Sequence, residues 1–269
     1  MSFYTSLNGL KNAQTDLGVI SNNIANAETN GFKKSTVAFS DIVAGSAFTN
    51  PKLLIGIGAT VEAVNQNFKQ GPVEQTGNAL DLVVNGDGFF TTRSAITGDT
   101  LYTRNGAFEI DENGYLLRGG NRLQVFPTDA AGAVTGTALQ SVQVPAVNAA
   151  GAQFAGVAVG KNGVITASYA DGTNTAIGMV ALATFIAPGG LRQEGAANWS
   201  ATGISGTATY GQPDSGFYGG ILSGALERSN VDLSEEMVGL ITAQRNFQAN
   251  AKAIDTATQI SQTIINLRT

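Results

Sequence analysis

Residues 232–267 read DLSEEMVGLITAQRNFQANAKAIDTATQISQTIINL, with one glycine (Gly239) and no proline. The stretch opens as a helix does. Asp232 supplies an N-cap, Glu235 stands three positions on to complete a capping box, and Glu236 adds negative charge to the first turn. The spacing predicts one helix over Leu233–Leu267, about 52 Å long at 1.5 Å per residue, more than a compact domain of this size needs. Leu233, Leu240, Phe247 and Ile254 recur every seven residues, and Met237, Ala251 and Ile265 fall on the interleaved line, the pattern of a coiled-coil seam. On the opposite face Arg245, Gln248, Lys252, Asp255, Gln259, Gln262 and Asn266 step by three and four without a break.

The other end of the chain reads alike. Ser2–Ala27 lacks proline and has only Gly9 and Gly18, with Phe3, Leu10, Leu17 and Ile24 at seven-residue intervals. Leu7 begins a second line that continues through Gln14 and Ser21, so the stripe is half apolar and half diluted. Glu28-Thr29-Asn30-Gly31 ends the helix, with Asn-Gly offering a left-handed cap.

Between the two helices the period changes. Glycine, Thr and Val dominate, and turn dipeptides (Asn85-Gly86, Asn105-Gly106, Asn113-Gly114, Gly119-Gly120, Asn162-Gly163, Asp171-Gly172) separate short apolar runs. Leu80–Val84, Phe89–Thr92, Ala107–Ile110, Leu123–Phe126, Val157–Val159, Val164–Tyr169 and Met179–Phe185 read as strands joined by hairpins. The fold class is therefore α+β: an antiparallel β domain, sandwich or barrel-like, flanked by N- and C-terminal helices that pair as a coiled coil. Residues 1–30 and 230–269 form the helical domain, 31–70 an extended linking segment, and 71–229 the β-rich domain.

Composition narrows the chemistry. The 269 residues contain no cysteine and no histidine, which removes disulfides, thiolate nucleophiles, Ser-His-Asp triads and zinc sites built from Cys or His. A net charge of −5 argues against nucleic-acid binding, whose footprint is a basic patch. No apolar run approaches the roughly 18 residues of a membrane helix, and the first 25 residues are too polar for a cleavable secretory signal. Asp111-Glu112-Asn113-Gly114 looks like the start of a calcium loop, but Arg122 occupies the position of the bidentate Glu, so a hairpin turn is expected. No pair of carboxylates stands out for hydrolysis. Neither an enzymatic role, a cofactor nor a metal is expected.

An amphipathic helix needs a partner for its stripe, since packing rather than propensity supplies most of its stability. The two stripes can pair with each other and with copies from neighbouring molecules. An ordinary intramolecular pair lying on the β domain is the plainer alternative.

Several segments resemble bacterial flagellar rod and hook proteins: Leu17-Gly18-Val19-Ile20-Ser21-Asn22-Asn23-Ile24-Ala25-Asn26 running on to Thr29-Asn30-Gly31-Phe32-Lys33; Asn78-Ala79-Leu80-Asp81-Leu82 before Gly86-Asp87-Gly88-Phe89-Phe90; Tyr102-Thr103-Arg104-Asn105-Gly106-Ala107-Phe108; Ser229-Asn230-Val231-Asp232-Leu233; and Ala243-Gln244-Arg245-Asn246-Phe247-Gln248-Ala249-Asn250-Ala251-Lys252. The resemblance runs in order along nearly the whole chain. The run Ala243–Asn250 is similar to the hook protein in particular. The length leaves room for one β domain, whereas hook proteins commonly insert an outer one, here replaced by a short Ala/Gly linker near Val144–Gly156. A short hook protein is expected, with the distal rod protein as alternative and a surface β-domain binding module on a helical stalk as a remote one.

The resemblance implies a subunit exported through the flagellar channel and polymerised into a hollow axial tube that carries torque from motor and rod to filament. Its implied partners are further copies of itself, neighbouring rod and hook–filament junction proteins, the hook cap and the export apparatus. The implied place is the extracellular hook, or the periplasm-spanning basal body if the chain is a rod protein. Phe3, Leu7, Leu10, Leu17 and Ile24 with Leu233, Met237, Leu240, Phe247, Ile254 and Ile265 would form the assembly seam. The polar line from Arg245 to Asn266 would face the channel. Asn30, Gly31, Phe32 and Lys33 would open the linking segment, unless they are only a helix cap followed by two solvated lysines.

Overall fold

The computed structural model describes residues 2–44 and 55–267. Helix α1 spans Ser2–Ala25 and helix α2 spans Leu233–Asn266. Every strand pairing among the described residues is antiparallel, so the architecture is α+β with a mostly antiparallel β region between two terminal helices. The chain divides into two compact units: Met1–Ala27, Lys34–Asn67 and Val231–Thr269 in one, Glu28–Lys33 and Phe68–Asn230 in the other.

The helical unit contains more than helices. Strands β1 (Ser35–Ala44) and β2 (Ile55–Gln66) form a ribbon with register shifts at Ala38/Phe39 and Ile42/Val43. Polar side chains of α1 fasten it: Asn12 Nδ2 donates to the Ala59 carbonyl at 2.8 Å, and Asn23 exchanges two bonds with the Ser35 backbone, at 2.8 and 3.0 Å. The linking segment expected over 31–70 is thus divided. Residues 34–44 and 55–67 pack with the helices, 28–33 and 68–70 belong to the β unit, and the part of the expected segment over 45–54 lies outside the described residues. A residue count could not foresee this, because hydrogen bonds from an asparagine on a helix leave no periodic trace.

The β unit is organised on one long sheet. Its central path runs Phe154–Val159, Val164–Tyr169, Asn174–Val180, Asn121–Phe126, Phe89–Ser94, Thr100–Thr103, Asn198–Ser200, Arg192–Gly195. Its main core gathers Leu82, Phe90, Phe108, Leu116, Leu123, Ile165 and Leu182, all at most 1% exposed, with Phe90 and Phe108 edge-on at 5.5 Å. A second core surrounds Trp199, against Phe68 and Phe89. The expected turns at Asn162-Gly163 and Asp171-Gly172 join successive strands of this sheet. At Asp111–Gly114 the expected hairpin turn is closed by Asp111 Oδ1, which accepts from the Asn113 and Tyr115 amides. Asn105-Gly106 is not a hairpin turn. Gly106 approaches the Leu82 backbone so closely that a Cβ there would overlap the Leu82 carbonyl oxygen, so the glycine answers a close approach rather than a tight turn.

Candidate assembly surface

Helix α2 begins as its sequence predicts: Asp232 Oδ1 accepts from the Ser234 and Glu235 amides at 2.8 and 3.2 Å. The capping box takes another form, for the Glu235 carboxylate accepts instead from Lys34 Nζ at 3.0 Å. The sheltered residues of α2 fall on one face. Glu236, Leu240, Ala243, Phe247, Asn250, Ile254 and Ala257 alternate steps of four and three, and each is buried or half-buried. On α1 the matching line is Leu10, Ala13, Leu17, Ile20 and Ile24.

Three contacts fix the register. A Cβ added at Gly9 would lie 2.5 Å from Asn250 Oδ1, one at Gly239 would lie 3.4 Å from Ile20 Cδ1, and Asn23 Nδ2 donates to Glu236 Oε2 at 3.1 Å. Each step forward along α1 is an equal step back along α2, so the pair is antiparallel with a single register over these turns. That register sets Ser2 opposite residue 257, and α2 continues beyond α1 by more than two turns.

Leu10, Leu17, Ile24, Leu240, Phe247 and Ile254 are half-buried on the facing stripes, and Leu7 is half-buried too. Phe3 (42% exposed) and Leu233 (46%) are open to solvent. Met237 (53%) lies one residue past the sheltered Glu236 and off the paired face. The second line of the pair runs Glu236–Ala243–Asn250–Ala257; of the expected line Met237–Ala251–Ile265 only Ala251 is half-buried. Ile265 shares the face of Phe247 but sits on the overhang, exposed with Ile260, Ile264 and Leu267. An apolar count passes over the second line because its members are small or polar. Their merit is size, for Gly9, Ala13, Gly239 and Ala243 let the helices approach closely. Arg245, Gln248, Lys252, Asp255, Gln259, Gln262 and Asn266 are all exposed.

At the head of α2 lies a polar cluster that the periodicity did not reveal. Lys34 Nζ meets Glu236 Oε1 at 2.7 Å, with Glu236 only 4% exposed. Burial alone would lower the Lys34 pKa, but the bonds to Glu236 and Glu235 outweigh it and raise it. Asp16 is pushed up, first by burial and then by the Glu236 charge.

Within the β unit the Asn30–Lys33 motif takes a form unlike a solvated cap. Gly31 holds φ +71°, its amide donates to the Glu227 carbonyl at 2.7 Å, and an added Cβ would sit 2.5 Å from Asn105 N. Phe32 is 4% exposed, and Asn30 is half-buried. The Lys33 side chain is fully buried, its Nζ 2.5 Å from Glu227 Oε1 and 2.7 Å from the Lys69 carbonyl. Glu227 Oε1 also accepts from the Gly71 amide at 2.9 Å. Glu227 Oε2 faces Arg104 Nη1 at 3.5 Å, and the guanidinium stands 5.2 Å from the Phe89 ring centroid. Burial lowers the pKa of both Lys33 and Arg104 against the opposing pull of Glu227. Of the two lysines, then, only Lys34 keeps any access to water. A basic residue directly after Gly-Phe was the available signal; its partners, 36 and 194 positions away, were not.

Among the described residues no group of three or more acidic side chains is placed to hold a metal ion, and no helix is long and apolar enough to cross a membrane.

Comparison with known proteins agrees along the chain. The family described as "Flagella basal body rod protein" matches residues 3–33, "Flagellar hook protein FlgE/F/G D1 domain" matches 83–167, and "Flagellar basal body rod FlgEFG protein C-terminal" matches 222–267. The chain is 36% identical to the flagellar basal-body rod protein FlgG of Bacillus subtilis, covering 99% of this chain and 98% of that one. It is 32% identical to FlgG of Agrobacterium fabrum over 95% of each. With the flagellar hook protein FlgE of Escherichia coli it shares 27% identity over the full length of both. That alignment runs to 410 positions, so a long stretch of the hook protein has no counterpart here.

Proposed function

The chain belongs to the rod and hook axial protein family of the bacterial flagellum, structural components that assemble into a polymer, and on that premise we propose that it is the subunit of a short-form flagellar hook. Copies stack into a hollow tube whose inner layer is built from the α1–α2 pairs, which couples rod to filament and transmits torque. The observation that carries the polymer reading is the overhang of α2. Ile260, Ile264, Ile265 and Leu267 extend past the end of α1 with more than half of each exposed, and apolar surface of that kind is stabilised when neighbours cover it. The exposed line from Arg245 to Asn266 lies opposite the α1-facing stripe, which suits a wet channel wall of mixed charge along which an unfolded chain slides. The run Ala243–Asn250, similar to the hook protein, supports hook over rod.

The distal rod is the second reading, supported by the 36% identity and near-equal length shared with a rod protein. Electron microscopy of the assembled tube separates the two: a curved, supercoiling tube supports the hook, and straight tubes under all conditions refute it. Amide exchange tests the polymer reading itself. Residues 2–25 and 233–266 are expected to be poorly protected in dilute monomer and strongly protected in the tube. Equal protection in both states, or failure of concentrated protein to polymerise, sinks it.

A further inference from the structure

The β unit carries a cleft of about 410 Å³ beside Gly88 and Phe89, at the start of the strand Phe89–Ser94. Phe68, Phe89 and Phe185 wall it, and Ile186 and Phe217, each 92% exposed, stand at its rim. The rim is pre-formed. On the turn that carries Phe217 the Gly219 amide donates to the Asp87 carbonyl at 2.8 Å, the Tyr218 amide to the Ser215 carbonyl at 3.1 Å, and the Tyr218 hydroxyl to the Thr209 carbonyl at 3.1 Å. Size and aromatic lining are those of a ligand site, and large apolar side chains left in water beside a concavity mark an interaction surface.

Two charged groups, Arg104 and Asp87, complete the lining. Arg104 is 3% exposed. Its Nη1 meets the Val84 carbonyl at 3.3 Å and Glu227 Oε2 at 3.5 Å, while Nη2 has no acceptor among the described residues. Asp87 is exposed, and its carboxylate has no donor among them. Burial lowers the Arg104 pKa while Glu227 and Asp87 pull it up, so Asp87 stands within electrostatic reach of the guanidinium. A desolvated donor without an acceptor is costly and calls for a partner. One group that wants an acceptor and one that wants a donor thus border the same apolar hollow. A peptide segment supplies both, a carbonyl to the guanidinium and an N–H to the carboxylate, and the side chain between them fills the hollow.

We propose that this cleft binds an extended segment of a different protein, through one large apolar side chain and the peptide groups that flank it. A second copy of this chain does not offer such a segment at its comparably exposed turn residues, Ile96 and Ile204. Their amides are already bonded, to Ser94 Oγ at 3.3 Å and to Thr202 Oγ1 at 3.2 Å. An extended segment from another protein keeps its peptide groups free for Arg104 and Asp87.

Trp199, the one tryptophan of the chain, stands edge-on to Phe68 and Phe89 at 5.5 and 5.9 Å, so its fluorescence reads the cleft wall. Titrated into the full-length monomer, N-acetyl-phenylalanine methylamide is expected to give a saturable change with a midpoint of about 1 mM. Toluene, which has the ring without the peptide groups, is expected to bind about tenfold more weakly. Asp87→Ala is expected to weaken the amide probe about tenfold, to leave toluene binding as it was, and to keep the unfolding midpoint of the unmodified chain. The absence of any saturable change overturns the site. Equal affinity for the two probes, or an amide probe indifferent to Asp87→Ala, overturns the peptide recognition; the comparison of probes on the unmodified chain decides even where the variant does not fold. Binding that vanishes in the assembled tube would give the cleft to a neighbouring copy and overturn the foreign partner. All of these outcomes leave the proposed function standing.

Discussion

Replacing Lys33 by methionine tests whether a buried charge pair fastens the Asn30–Lys33 segment to the strand Ala225–Glu227 within the β unit. Glu227 is fully buried and accepts from Lys33 Nζ at 2.5 Å and from the Gly71 amide at 2.9 Å, while Arg104 stands 3.5 Å from its second oxygen. In Lys33→Met the methionine fills most of the lysine's volume, but the carboxylate is left with one amide and a distant guanidinium, and the Lys69 carbonyl keeps only its bond from Asn230 Nδ2. Removing one partner of a buried pair costs about 3–5 kcal/mol, because the other charge stays desolvated without compensation. For a unit of this size, at about 2–4 °C per kcal/mol, the Tm of the β unit falls by about 6–20 °C in calorimetry. Lys34→Met is the internal control. It removes an exposed contact with Glu235 and a largely buried one with Glu236, whose carboxylate keeps the Asn23 amide, and that loss falls on the helical unit and not on the β unit. Adding Glu227→Gln to Lys33→Met recovers part of the loss, since the stranded charge is gone. A fall in the Tm of the β unit below about 3 °C for Lys33→Met, or an equal fall in that same unit from Lys34→Met, refutes the reasoning.

Gly31→Ala forces a side chain into φ +71° and toward Asn105 N; a loss above about 2 kcal/mol is expected, read from the midpoint of chemical denaturation. Ala243→Leu overfills a position that is 1% exposed on the α1-facing stripe. It costs about 1–3 kcal/mol and is expected to lower α1 protection in the tube without altering the β unit. Phe247→Asp places a charge on the same stripe and is expected to abolish polymerisation while the β unit keeps its Tm; tubes from this variant would contradict the pairing. Asp16 has its folded pKa raised above the ordinary 3.8 by burial and by Glu236. Its charged form therefore costs stability above that folded pKa, and the cost disappears as pH falls below 3.8. Asp16→Asn is accordingly expected to raise the midpoint of the helical unit at pH 7, an advantage that shrinks to nothing on acidification. An advantage that grows toward low pH reverses the sign and refutes the assignment.

Local patterns alone determined much of this protein. Seven-residue spacing announced both helices to within a few residues, Asp232 announced where the second begins, and short apolar runs between Gly-containing turns announced an antiparallel β region. All of these depend on interactions between residues near in sequence, so a period or a dipeptide records them. The absence of Cys and His excluded whole chemistries before any fold was considered. What the tertiary structure alone decided was which of two adjacent lysines is buried, which heptad line of α2 meets α1, and that residues 34–44 and 55–67 pack with the helices. Lys33 and Lys34 are identical to any local rule, yet one meets Glu227 and the other Glu236. Burial of a charge, closeness of approach at Gly9 and Gly239, and the grip of Asn12 and Asn23 on the ribbon depend on partners brought together only by folding, and a one-dimensional pattern carries no record of those distances.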